Sequence, residues 1–279
     1  DPDRSHCEKA LKSLDHLVVI DIFLTETAEL ADVVLPATAW AETDGVCTNT
    51  ERRVQRLRQA VSPPGEAKPD WWIISQIAKR LGFDGFEFNS AEEIFEELCG
   101  LSPIYAGLDW NRIETGEYQW PVPDRDHPGT PILHQNEFKN GRGIFKVIGY
   151  RDPAETTSKS FPIWLTTGRR LQAYHTRTQT GRAQGIEYLL SEERLEVNPE
   201  DIESLGLRDG DWCRIFSARG QVDVRVRKTT RSPRGTVFAS FSFNDVPINI
   251  LTGSGYDPVT DTAELKVCPV RIEAISSTD

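Results

Sequence analysis

Between Leu101 and Ser160 the chain loses its periodic apolar patterning, and this break constrains the fold more than any other feature of the sequence. Stretches such as Tyr118-Gln119-Trp120-Pro121 and His127-Pro128-Gly129-Thr130-Pro131 follow neither the helical nor the strand period. A connection this long is either functional or wrapped over a protein surface. It separates two differently patterned regions, and 279 residues suffice for two domains. The expected organisation is an α/β domain over residues 1–100, an irregular connection over 101–160 and a mainly β domain over 161–279.

Upstream of the break, helix and strand signals alternate. Cys7, Ala10, Leu11 and Leu14 share a helical face between His6 and Leu14. Leu17-Val18-Val19-Ile20 reads as a buried parallel strand ending at Asp21, and Val33-Val34-Leu35 as a second one stopped by Pro36. A short helix is expected over Thr27 to Ala31. In such sheets ligands bind beyond the carboxyl ends of strands. Asp21 lies there, where a carboxylate can accept from ribose hydroxyls or simply close a turn. Glu42-Thr43-Asp44-Gly45 is a turn, and Asn49 to Arg58 is polar and Arg-rich. A helix carrying Trp71, Ile74, Ile77, Ala78 and Leu81 on one face is expected after Asp70, with Asp70 as its N-cap and Gly82 as its stop. Ser90-Ala91-Glu92-Glu93 opens another helix as a capping box.

Downstream, Phe161 to Leu165 is a strand that breaks at Thr-Thr-Gly-Arg and leads into Leu171-Gln172-Ala173-Tyr174-His175-Thr176. Glycine lets the backbone approach a ligand, and hydroxyls, guanidinium and imidazole supply directional donors. The same residues also suit an ordinary polar loop. Asn198 caps a helix whose first residue is Pro199. Strands follow at Trp212 to Phe216, Val222 to Val226, Val237 to Phe243 and Val267 to Ile272, a pattern suited to a closed barrel.

Composition excludes some functions. Acids outnumber bases 43 to 32, a net charge of −11, which argues against nucleic-acid partners. No apolar run reaches the length of a membrane span, so no membrane insertion is expected. Cys7, Cys47, Cys99, Cys213 and Cys268 are scattered without a CxxC pair, pointing to reduced thiols in a cytoplasmic protein rather than a metal framework. The chain contains no Met and opens at Asp1, so it is expected to be part of something longer.

The run from Asp21 to Pro36 (DIFLTETAELADVVLP) resembles the molybdopterin oxidoreductase family. Thr48-Asn49-Thr50-Glu51-Arg52-Arg53-Val54-Gln55, Lys68-Pro69-Asp70-Trp71, Thr167-Gly168-Arg169 with His175-Thr176, and Lys266-Val267-Cys268-Pro269-Val270-Arg271 continue the resemblance in order. Within that family the chain is most similar to the large subunit of formate dehydrogenases, then to nitrate reductases. The resemblance implies the C-terminal part of an α/β (Rossmann-like) molybdopterin domain, followed by a six-stranded double-psi β-barrel. It also implies bis-molybdopterin guanine dinucleotide carrying Mo or W. A 4Fe-4S cluster and the metal ligand would belong to an upstream part of the same subunit, and electron-transfer subunits are possible partners.

By matching position, the resemblance implies cofactor contacts at Ile20 and Asp21, a guanine-reading carboxylate at Asp70, and a pterin loop containing Thr167, Gly168, Arg169, Tyr174, His175 and Thr176. Phe241, Asn249 and Lys266 are implied as later contacts. Asp70 retains its reading as a helix cap, Phe241 as a core aromatic and His175 as a loop histidine without a proton-transfer role; no residue of this chain is expected to be catalytic. Thr43 departs from the family, where lysine is common, so a cationic contact is lost there or supplied elsewhere. The implied activity is oxidation of formate to carbon dioxide; the alternatives are a nitrate reductase and a cofactor-free double-psi binding module.

Overall fold

A computed structural model of the chain describes residues 2–275. Two compact units emerge: residues up to 15 join those from 148 onward, and His16–Val147 form the other. The first helix, α1 (Arg4–Lys12), therefore groups with the C-terminal unit, although its residues precede the α/β pattern in the sequence. Two bonds account for this: the Asp3 amide donates to Thr252 Oγ1 at 3.2 Å, and Arg4 Nη1 donates to Asn244 Oδ1 at 2.7 Å. None of the α1 residues is buried.

The unit His16–Val147 begins with the parallel pair β1 (Val18–Asp21) and β2 (Val33–Pro36), which run in register from Val18 opposite Val33 to Asp21 opposite Pro36. The expected helix between them is a 3₁₀ turn, Ala28–Leu30. Strand β1, expected to be buried, is only partly so: Val18 is 41% exposed and Val19 and Ile20 are half-buried, while in β2 Val33 and Val34 are 38% exposed each.

An antiparallel hairpin follows, β3 (Gly45–Thr48) and β4 (Arg53–Leu57), where only a polar stretch had been expected. Asn49 builds its turn: its side-chain oxygen accepts the Glu51 amide at 3.0 Å and the Arg53 amide at 2.9 Å. Arg52 takes φ 71° there.

Helices α2 (Asp70–Arg80) and α3 (Ala91–Leu101) come next. In α2 the buried residues are Ile73, Ser75 and Ala78, whereas Ile74, Ile77 and Leu81 of the expected apolar face are exposed. At the start of α3, Ser90 Oγ accepts the Glu93 amide at 3.2 Å, but Glu93 reaches back to the Asn89 amide rather than to Ser90.

The irregular stretch contains α4 (Trp110–Thr115) and the two-residue β5 (Tyr118–Gln119), which pairs with β4. Leu108, Ile113 and Val122 from this stretch share a core with Val54, Phe95 and Cys99. Arg52 then fastens the segment to the hairpin turn, donating to the carbonyls of Trp120, Thr130 (2.9 Å) and Pro131 (2.9 Å).

The C-terminal unit is built on a closed barrel. Its strands are β6 (Ile163–Gly168), β7 (Arg194–Val197), β8 (Trp212–Phe216), β9 (Gln221–Lys228), β10 (Thr236–Ser240) and β11 (Cys268–Ala274). Helices α5 (Gln184–Leu189) and α6 (Pro199–Ser204) lie between them in sequence. The order around the barrel is β10-β6-β11-β8-β9-β7. The pairs β6/β10 and β7/β9 are parallel and the others antiparallel, giving the double-psi barrel implied by the sequence.

Period-two alternation fills its interior: Val222, Val224 and Val226 from β9, Cys213 and Ile215 from β8, Val270 and Ile272 from β11. Each fully buried Val, Leu or Ile contributes roughly 1.5–3 kcal/mol. Asn198 caps α6 through the Glu200 amide, with Pro199 at the first helical position as expected. The strand expected over Val237 to Phe243 stops at Ser240, which leaves Phe241 outside it.

Candidate cofactor-binding site

In the barrel, Thr167, Gly168, Phe241 and Lys266 come together where β6 and β10 end, whereas Tyr174, His175 and Thr176 lie on the loop beyond β6 and Asn249 in a separate turn. Thr167, 2% exposed, donates its hydroxyl to the Leu265 carbonyl, and its own carbonyl accepts from Lys266 Nζ at 3.0 Å. Thr167 and Lys266 are thus brought together across 99 residues of sequence. Gly168 pairs with Ser240 at the last position of the parallel ladder, and Phe241 follows immediately. A Cβ on Gly168 would stand 2.6 Å from Phe238 Cε2, so any larger residue here must displace that ring.

Arg169 and Arg170 diverge. Arg169 is exposed and has no carboxylate partner among the described residues, whereas Arg170 is enclosed by Glu193 and Glu196 at 2.6 and 3.0 Å. Burial works against the charge of Arg170, but the hydrogen bonds and charges of Glu193 and then Glu196 outweigh it and raise its pKa above the ordinary value. Arg169, Arg170, Arg227 and Arg231 line a cleft of about 760 Å³ that also borders Thr166 and Phe238. In a chain of net charge −11 this is a local basic surface.

The loop beyond carries Tyr174, His175 and Thr176, all exposed, with the Tyr174 and His175 rings edge to face at 4.7 Å. His175 (φ 48°) and Arg177 (φ 61°) occupy left-handed conformations that non-glycine residues adopt only when the surroundings impose them. Arg177 imposes much of this. Its guanidinium pairs with Glu187 and lies 4.0 Å from the Phe243 ring centroid, while its carbonyl accepts the Gly181 amide at 2.8 Å. Asn249 lies in the 3₁₀ turn Ile248–Ile250, its carbonyl accepting from Thr252 Oγ1 at 3.0 Å.

The remaining implied residues belong to the other unit. Ile20 and Asp21 end β1, and Asp21 closes a turn by accepting the Phe23 amide on Oδ1 at 3.0 Å. Asp70 is exposed and is the first residue of α2 rather than its cap. Pro69 occupies the cap position, and no side chain caps the helix. The capping role read from sequence is thereby removed, and the carboxylate stands at the positive end of a helix.

Sequence reasoning missed Thr38, just past β2, and Ser242, next to Phe241. Both have buried hydroxyls with no hydrogen-bond partner, as does the buried Asn249 Oδ1. Single hydroxyl residues carry no sequence signal; only burial without a partner distinguishes them. Among the described residues no group of three or more His, Cys, Asp or Glu side chains is arranged to hold a metal. No helix among them is long and apolar enough to cross a membrane.

A polar, heteroatom-rich dinucleotide fits this donor set. Within the barrel unit, the orphaned Asn249 Oδ1 and Ser242 Oγ call for polar partners, and Lys266 and Arg169 offer positive charge. Residues 1–80 match the family model for molybdopterin oxidoreductase, and residues 163–269 match that for the molydopterin dinucleotide binding domain. The chain belongs to the molybdopterin oxidoreductase family.

The F420-dependent formate dehydrogenase subunit alpha of Methanocaldococcus jannaschii is 48% identical over 278 residues, which is 99% of this chain and 41% of that subunit. The assimilatory nitrate reductase catalytic subunit of Bacillus subtilis is 36% identical over 283 residues, covering 97% of this chain and 40% of the reductase. Acetylene hydratase from Pelobacter acetylenicus shares the fold with a TM-score of 0.76 at 20% identity, covering 98% of this chain and 42% of the hydratase. The chain thus spans about two fifths of the length of these two curated relatives.

Proposed function

We propose that the chain is the C-terminal, cofactor-binding portion of a molybdenum- or tungsten-dependent formate dehydrogenase that oxidises formate to carbon dioxide. The observation that carries this reading is the 48% identity to a formate dehydrogenase alpha subunit, against 36% to a nitrate reductase. When bound, bis-molybdopterin guanine dinucleotide with Mo or W would supply the two-electron redox chemistry. The residues of this chain bind and orient it. Asp70 would accept the paired N–H donors along one edge of guanine, and Asp21, beside Ile20, would accept from a ribose hydroxyl. Lys266 and Arg169 would meet phosphate or pterin oxygens with positive charge. Backbone and side-chain donors of Thr167, Gly168, Tyr174, His175 and Thr176 would surround the pterin, with Phe241 packed beside it and Asn249 Oδ1 accepting an N–H.

The exposed valines of β1 and β2 and the exposed apolar residues of α2 support a further part of the proposal: an upstream portion of the same subunit covers them. A 4Fe-4S cluster and the metal ligand are assigned to that portion, with electron-transfer subunits as additional partners and the cytoplasm as the compartment. This chain by itself is therefore proposed to be inactive toward formate.

The test is to purify the full-length subunit and measure dye reduction with formate and nitrate reduction with a reduced viologen. Metal and acid-released guanine nucleotide are measured in the same preparation. Formate-dependent reduction with bound guanine nucleotide is the expected result. Nitrate reduction without formate oxidation points instead to the nitrate reductase reading. Absence of both nucleotide and metal leaves a cofactor-free barrel module.

A further inference from the structure

We propose that Glu193 is a positioning residue, a buried carboxylate that ties the loop after β6 to the loop after β10 through Arg170 and Ser240. It rests on the reading above only in what those loops hold. Glu193 lies between α5 and β7, and its side chain is fully enclosed. An ionised carboxylate survives there only if its oxygens are satisfied by charged or strongly polar donors. Both oxygens are. Oε1 accepts Arg170 Nη2 at 2.6 Å, Arg170 Nε at 3.2 Å and the Ser240 amide at 3.1 Å; Oε2 accepts the Ser240 hydroxyl.

The partners are what make this more than an internal ion pair. Arg170 is the second residue past Gly168, inside the loop that continues to Tyr174, His175 and Thr176. Ser240 is the last residue of β10, and its Oγ also accepts the Ser242 amide at 3.3 Å, which reaches one residue beyond Phe241. One carboxylate therefore holds the second residue of one loop and the strand end from which the other departs. Arg170 is fixed further by Glu196 Oε1 at 3.0 Å and the Arg194 carbonyl at 2.9 Å. Arg227 Nη1 stands 4.0 Å from Glu196, so two arginines balance two glutamates. With Arg170 locked inward, the adjacent Arg169 is left exposed at the cleft.

The consequence concerns order in the loops rather than contact with a ligand. Loops fixed before binding do not have to be ordered when a ligand arrives, and preorganisation of this kind raises affinity. A residue acting only on general barrel stability would instead affect all strands, including the β8–β9 hairpin, which the Glu193 bonds do not reach.

The test is hydrogen exchange on the full 279-residue chain, comparing wild type, Glu193→Gln and Arg170→Ala. Amides of 169–176 and 241–249 should exchange at least about ten-fold faster in both variants, while those of the β8–β9 hairpin stay within about two-fold of wild type. Millimolar guanidinium should restore protection in Arg170→Ala by filling the place beside Glu193, whereas neutral urea at the same concentration should not. Unchanged exchange in either loop overturns the proposal, as does equal acceleration throughout the barrel. If Glu193→Gln does not fold, Arg170→Ala with and without guanidinium decides alone.

In the full-length subunit, Glu193→Gln should also lower bound guanine nucleotide. Accelerated loops with undiminished nucleotide overturn the positioning role. A wild-type subunit without nucleotide overturns the proposed function instead, and the exchange data then judge the tie between the loops independently.

Discussion

Replacing Gly168 with Ala tests whether the closeness of β6 and β10 is as strict as the geometry indicates. The added Cβ would lie 2.6 Å from Cε2 and 3.1 Å from Cζ of Phe238, well inside van der Waals contact. The backbone cannot yield freely, because Gly168 is held opposite Ser240 in the ladder and Ser240 is bonded to Glu193. The ring must therefore move. Its displacement is resisted by Arg170, whose guanidinium carbon sits 5.4 Å from the ring centroid and is itself fixed by two glutamates. Overpacking of this kind costs roughly 1–3 kcal/mol, and Phe238 is half-buried with some room outward, which favours the lower half. At about 2–4 °C per kcal/mol, thermal melting should shift down by several degrees. Phe238→Leu removes the atoms that clash, so the double variant should cost less than the sum of the two singles by about 1 kcal/mol. Additive costs, or a Gly168→Ala variant within about 0.5 kcal/mol of wild type, would refute the packing argument.

Asp70→Asn in the full-length subunit should lower bound guanine nucleotide by one to two orders of magnitude in affinity, about 1–3 kcal/mol, while cofactor-free stability falls by no more than the roughly 0.3–1 kcal/mol of a carboxylate at a helix start, since no capping bond is lost. Arg52→Lys keeps the charge but not the fork that reaches three carbonyls, so limited proteolysis should cut between Trp120 and Pro131 faster than in wild type. Burial, followed by nearby carboxylates, pushes the Cys213 thiol up to about 12 and that of Cys99 to about 11, so at pH 8 Ellman's reagent should spare both in the folded chain. Both groups favour the protonated form more in the folded state. Their contribution is thus complete below the unfolded thiol pKa of about 8.5 and is lost as pH rises through about 11–12, so urea midpoints should fall with alkaline pH and do so less in Cys213→Ala.

The barrel was legible because its signals are local. Strand β8 coincides with the run Trp212 to Phe216, and alternating valines marked β9, since one face of each is interior. The hairpin β3–β4 was not legible: β3 is only four residues long, β4 carries Arg53 and Arg56, and its turn depends on the Asn49 side chain and a left-handed Arg52 rather than on glycine. Glu193 sits in Ser191-Glu192-Glu193-Arg194, a run that reads as surface, and its burial depends on an arginine 23 residues earlier. Residue type and local pattern do not distinguish Arg169 from Arg170 either; only the family resemblance singles out Arg169. The difference is which way each departs from the end of a strand.

Within the unit His16–Val147, pattern and burial disagree in a consistent direction. The periodicity of α2 correctly indicates an amphipathic helix, yet Ile74, Ile77 and Leu81 lie exposed while Ile73, Ser75 and Ala78 are buried. In the same unit the parallel pair β1–β2 presents Val18, Val33 and Val34 at the surface, although parallel strands are ordinarily covered on both faces. A sequence shaped by folding alone would have little reason to keep so many apolar side chains in solvent. The local pattern records the complete environment in which each element was selected, whereas the burial records only the neighbours supplied by this stretch of chain. On the reading proposed above, the exposed apolar positions are patterned for cover by a further portion of the same subunit. The barrel, by contrast, closes on itself, which is why its pattern and its burial agree.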